Sequence, residues 1–125
     1  MDIFSNLLGN ASVLKTEDLV KKYGTLLAEE ETIEIGFGLI RDVFIFTNKR
    51  LILVDFQGLT GKKIEYHSIV YKSITHFSIE TAGHFDLDAE LKIWISSAKE
   101  PLVKKFNKKV NIYDVQKILA TYILK

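Results

Sequence analysis

Two hydrophobic periodicities divide the chain. Up to about residue 31 the apolar positions recur at helical spacing. Ile3, Phe4, Leu7 and Leu8 share one side of a short helix that Gly9 and Asn10 can end. Thr16 stands before Glu17 and Asp18, an N-cap followed by acids in the turn where the helix dipole favours them. Leu19, Tyr23, Leu26 and Leu27 then form an amphipathic stripe, which Gly24 weakens by about 1 kcal/mol. The acidic run Glu29, Glu30, Glu31 reads as a solvated exit from this helix.

From Thr32 the period changes to that of strands. Residues 32–41 alternate, with Ile33, Ile35, Phe37 and Leu39 on one side. Residues 43–47 and 51–56 flank Asn48, Lys49 and Arg50, a natural hairpin turn. Both of these strands are apolar on both faces, whereas a one-sided antiparallel sheet turns polar residues outward. If Phe44 and Phe46 point one way and Val43 and Ile45 the other, one set lines a core. The other set needs a second cover, either the N-terminal helices or another subunit. Further strands follow at 62–70, 74–81, 90–97 and 102–106, with turns at 57–61 and 99–101. The end is helical: Asn111 can cap it with Asp114 reaching back, and Ile112, Val115, Leu119 and Tyr122 make a stripe widened by Ile118 and Ile123.

Seven short antiparallel strands followed by one amphipathic helix is a specific order, because a strongly bent sheet leaves an open mouth that a single helix can plug. The run from Phe46 through Thr47, Asn48, Lys49 and Arg50 to Phe56 resembles the bacterial pleckstrin-homology (PH) domain family, in which a strand, a Thr-Asn-x-Arg turn and an apolar strand recur. Residues 62–70, 74–81 and 91–95 continue in that family's order, so the resemblance covers the chain from about Thr32 to the C-terminus. It implies a mainly β fold with α: a PH-like seven-stranded bent antiparallel barrel (32–125) capped by the C-terminal helix, preceded by an N-terminal helical extension (1–31). It also implies homo-oligomers arranged as ring-like assemblies. Fold analogy supplies no activity.

Composition narrows the functional classes. With 125 residues the chain fits one domain, and 47% hydrophobic against 26% charged residues argues for a packed globule. Seventeen basic and sixteen acidic residues give a net charge of +1, no general pull toward nucleic acid or membrane. Cysteine is absent, which excludes disulfides and thiol chemistry and makes a reducing cytoplasm the expected home. No targeting segment is visible, and no apolar run approaches the roughly 20 residues of a membrane-spanning helix. Any membrane contact is expected to be weak and peripheral.

Candidate chemistry is sparse. Gly58 to Lys63 misses the spacing of a phosphate-binding loop, since two residues rather than four separate its glycines and Lys63, not Ser or Thr, follows Lys62. Phosphate recognition by a PH fold needs converging cations near the first hairpin, where only Arg41 stands, next to Asp42. Lys62, Lys63 and the run Lys104, Lys105, Lys108 and Lys109 remain for an anionic lipid surface, against the plainer reading of solvated strand ends. His76, His84, Asp86 and Asp88 are the one conceivable metal set, but they lack ligand spacing, so no metal or cofactor is expected. A trio of Ser68, His67 and Asp55 is disfavoured because strand alternation puts His67 and Ser68 on opposite faces. Trp94 faces away from Ile93 and Ile95; it either anchors an interface or packs under the N-terminal helices. Aromatics occur without a basic groove, so nucleic-acid binding is not expected.

The expectation is a non-enzymatic binding or scaffold domain that self-associates beyond a dimer and presents a polar face to a protein or small ligand. Phe44, Phe46, Ile52, Val54 and Trp94 are the expected assembly residues. Arg41, Lys49, Arg50, Lys62 and Lys63 are the expected ligand-facing ones. Peripheral binding to anionic lipid through the lysine clusters is the alternative.

Overall fold

The computed structural model describes residues 13–39, 42–81, 88–107 and 110–125. They fall into two compact units that meet in sequence between Val70 and Tyr71.

In the first unit β1 (Val13–Leu14) leads into α1 (Thr16–Tyr23) and a 3-10 turn (Gly24–Leu26). Strands β2 (Ile33–Gly38), β3 (Val43–Thr47), β4 (Arg50–Gln57) and β5 (Lys63–Val70) follow. The five strands form one antiparallel sheet in chain order, β1-β2-β3-β4-β5. Two expectations are corrected here. Lys15, not Thr16, occupies the N-cap of α1 and makes no side-chain cap, and Val13–Leu14 pairs with Phe37 and Gly36 as a strand. Two residues are too few to show an alternation. The expected helix at Ile3 to Leu8 lies outside the described residues.

The doubly apolar strands are now explained on one face. Ile45, Ile52 and Val54 form a buried cluster with Leu19 and Tyr23 of α1 and Ile33 of β2, and Leu26 and Leu27 pack against it. Of the two covers left open by the pattern, the chain's own helix therefore shields this face. Gly36 makes the close approach possible: a Cβ there would stand 2.5 Å from Leu19 Cδ1, inside any tolerable contact. On the other face Phe37, Phe44, Phe46 and Leu51 are fully buried. Phe46 meets Phe37 and Phe44 edge-on at centroid distances of 6.3 and 5.3 Å, the geometry that the ring quadrupoles favour.

In the second unit a 3-10 turn (Tyr71–Ser73) precedes β6 (Ile74–Glu80), β7 (Asp88–Ile95) and β8 (Leu102–Asn107), which form an antiparallel sheet in that order. Helix α2 (Ile112–Ile123) packs against β6 and β7 with Ile112, Val115, Ile118 and Leu119 buried. Its expected cap is present: Asn111 Oδ1 accepts a hydrogen bond from the Tyr113 N–H at 3.1 Å. Tyr71 and Tyr122 stack at 4.6 Å and 10°, which fastens the turn to the helix.

Candidate functional site

The densest polar cluster lies at the β3–β4 turn. Antiparallel pairing brings Thr47 at the end of β3 and Arg50 at the start of β4 to one end of the sheet, and the segment between α1 and β2 passes over them. There the Glu31 carboxylate, its side chain 1% exposed, receives both Nε and Nη2 of Arg50 at 2.8 and 2.9 Å. This bidentate fork is the strong form of the ion pair. Glu31 also accepts from Thr47 Oγ1 at 2.6 Å and from the Ala28 N–H at 2.9 Å. Arg50 also donates to the Leu26 carbonyl at 2.7 Å and to Ser68 Oγ at 2.8 Å.

Thr47 and Asn48 close the arrangement. Thr47 Oγ1 accepts from the N–H groups of Lys49 and Arg50, which shapes the turn. Asn48 Oδ1 accepts from the Thr32 N–H at 2.8 Å while its Nδ2 donates to the Glu30 carbonyl at 3.1 Å. That bond holds Glu30 in its left-handed conformation, φ 63°, which non-glycine residues rarely adopt. Every polar residue of the Thr-Asn-x-Arg turn thus has its partner inside the chain.

The electrostatics follow. Burial, the largest single influence on Glu31, raises its pKa. The hydrogen bonds from Arg50, Thr47 and the Ala28 N–H, with the Arg50 charge, together outweigh it and bring the pKa down to about 2. A carboxylate held ionised so far below neutrality is a poor proton shuttle near pH 7.

The structure separates the expected site residues. Phe44, Phe46, Ile52 and Val54 are at most 1% exposed, so an interface through them has no surface to use; their apolar character serves the protomer's interior. Trp94 is partly exposed and stacks on His76 of the neighbouring strand, centroids 4.3 Å apart and 15° between planes. Arg50 is committed to the chain rather than ligand-facing, because four of its five N–H groups donate to Glu31, Leu26 and Ser68. Lys49, Lys62 and Lys63 are exposed, and Arg41 lies outside the described residues. Glu31, expected to be solvated, is the buried centre of the cluster. No local signal marks it, since its partner Arg50 is 19 positions away and Glu29 and Glu30 beside it are exposed.

Other candidates resolve as follows. Ser68 takes its hydrogen bond from Arg50, and the register puts it opposite Ile52 while His67 stands opposite Leu53 on the other face. The trio with Asp55 does not assemble. His84 and Asp86 lie outside the described residues, and among the described residues no three His, Asp or Glu side chains are grouped to hold a metal ion. Tyr23 packs edge-on to Tyr66 at 6.3 Å, and its buried hydroxyl has no hydrogen-bond partner. Burial first, and the neighbouring Tyr66 second, raise the Tyr23 pKa above its ordinary value. No helix among the described residues is long and apolar enough to cross a membrane.

Two antiparallel sheets and a C-terminal helix in this order define a pleckstrin-homology fold, and solved structures agree. A pleckstrin homology domain from Shewanella amazonensis SB2B superposes with a TM-score of 0.85 at 47% identity, covering 99% of this chain and 100% of that one. A DUF1696 family protein with a pleckstrin-homology domain from Shewanella loihica PV-4 gives 0.80 at 50% identity, covering 92% and 98%. The profile of the bacterial PH domain family matches residues 2–123, and the chain belongs to that family. Among its relatives is the uncharacterized protein YjqA of Bacillus subtilis, 57% identical over 121 residues, which are 96% of this chain and 97% of YjqA. YozO of the same organism, also uncharacterized, is 35% identical over 93% of this chain and 98% of its own length.

Proposed function

We propose that this PH domain is a non-enzymatic, cytoplasmic binding module that self-assembles into a homo-oligomer larger than a dimer, with strand β5 as the contact. The observation that carries this reading is the surface of β5. It ends the five-stranded sheet, runs eight residues without proline, and leaves Tyr66 and Val70 44% and 49% exposed. These two share a strand face with Ile64 and Ser68, a face without charge on the edge strand, while Lys63 and Glu65 stand on the opposite face. The complement of such an edge is a strand of a second copy. A head-to-tail contact of this kind that closes on itself gives a ring. The exposed lysines Lys49, Lys62 and Lys63 belong to the polar surface left for a protein or small ligand.

Light scattering coupled to size exclusion tests the assembly. The expected mass exceeds two copies across micromolar dilution, and the double variant Tyr66→Lys, Val70→Asp elutes as a folded monomer. A monomeric wild type at every concentration overturns the reading.

A second reading rests on the β4–β5 turn. Leu59 is fully exposed at its tip, with Lys62 and Lys63 beside it, an apolar tip and two cations of the kind that meets an anionic bilayer. Each cation contributes about 1 kcal/mol at such a surface. Salt-sensitive sedimentation with phosphatidylglycerol-containing vesicles, lost in Lys62→Ala, Lys63→Ala, supports it; no sedimentation at low salt removes it.

A further inference from the structure

We infer that residues 13–32 form a latched strap: the Glu31–Arg50 knot fastens it to the sheet, and the strap opens as a unit of its own while the ladder from β2 to β5 stays closed. The two parts of the strap are held very differently. Its helical part is weakly seated. Helix α1 has eight residues, below the ~12–15 at which an isolated helix becomes even marginal in water, so it persists only while packed. It lacks a side-chain cap and buries only Leu19 and Tyr23. Tyr23 brings a hydroxyl out of water without a partner, which opposes its own burial. Strand β1 adds a ladder of two residues.

The other part is stitched down. Leu26, Ala28, Glu30, Glu31 and Thr32 are each tied into the knot, through the Arg50 guanidinium, the Glu31 carboxylate or the Asn48 side chain. Thr47, Asn48 and Arg50 therefore act as the fixed half of a latch and Glu31 as the moving half. Beneath the strap lie Ile45, Ile52 and Val54, at most 1% exposed while it is closed. Release of the latch uncovers this face without breaking a hydrogen bond between β3 and β4. The strap and its latch meet β5, where Arg50 donates to Ser68 and Tyr23 packs on Tyr66. Hydrogen exchange, however, reads the latch and light scattering reads self-assembly, so either can fail without the other.

Native-state hydrogen exchange on the full chain, followed by mass spectrometry at low urea, tests this. In the wild type the amides of 16–23 are expected to open at lower free energy than those of 43–47 and 50–57. Glu31→Ala removes the acceptor of four hydrogen bonds. It is expected to speed exchange across 16–32 by at least about 10-fold, the factor that a single charge-assisted hydrogen bond already supplies. The β3 and β4 amides are expected to change by less than about 2-fold. Equal acceleration of strap and sheet, or an unchanged strap, overturns the inference. Should Glu31→Ala fail to fold, the wild type alone decides: strap and sheet amides that open together with one urea dependence overturn it, and separate openings support it.

Discussion

Strands β3 and β4 are buried on both faces, whereas β7 alternates: Ala89, Leu91 and Ile93 are buried while Glu90, Lys92 and Trp94 are partly open. The difference traces to a second layer of chain. On one face of β3 and β4 lies α1 with its 3-10 turn, so Ile45, Ile52 and Val54 can be as apolar as the phenylalanines behind them. On β7 the open positions carry charge, a Lys92–Glu90 pair at 3.6 Å, and an indole stacked on an imidazole. Apolar sequence therefore marks two kinds of place in this molecule. In β3 and β4 it marks interior, and at Tyr66 and Val70 of β5 it marks surface.

The contrast can be broken most severely at its aromatic centre. Phe46→Ala removes a fully buried ring that meets two others, and a loss of about 4 kcal/mol is expected in urea unfolding. A loss below about 1 kcal/mol would mean that β3 is not doubly covered.

Acid comes next. The Glu31 pKa is depressed from 4.5 to about 2, so its contribution is fully present above about pH 5 and is lost as pH falls through 2. The shift corresponds to about 3 kcal/mol. Urea midpoints measured from pH 6 to 2 are expected to fall more steeply for the wild type than for Glu31→Gln, which lacks the titrating group. Parallel curves would show that the carboxylate is not held by Arg50 and Thr47.

The smallest effect is expected on the open face of β7. Trp94→Ala gives up one stacked pair and half-buried area, a cost of about 1 kcal/mol in the same assay. A cost rivalling that of Phe46→Ala would erase the distinction between the two sheets.

The element order was legible because it rests on local signals. The alternation from residue 32, the turn at Asn48 and Lys49, and the Asn111 cap all act within a few positions, and each appears where its residues predict it. The N-terminal part was less so. Thr16 has the chemistry of a cap, but Lys15 holds the position, and a two-residue strand leaves no period to read. The site is hidden in the sequence for a different reason. Phe44, Phe46, Ile52 and Val54 exceed what one core face needs, and only the fold shows that Ile52 and Val54 go under α1 while Phe44 and Phe46 are buried on the opposite face. Arg50 looks like a free cation on a turn until Glu31, Leu26 and Ser68 are brought to it by the fold. Long-range pairing of single charges has no periodicity.

One consequence follows from Trp94 being the sole tryptophan. Indole fluorescence from this chain originates wholly in the second unit, beside His76. An emission-based melting curve therefore reports from the second unit, whereas the aromatic pair on α1 is Tyr23 against Tyr66. Agreement between indole emission and far-ultraviolet dichroism would establish a single cooperative transition. A dichroism signal that moves first would report the helix departing while the tryptophan still sits undisturbed.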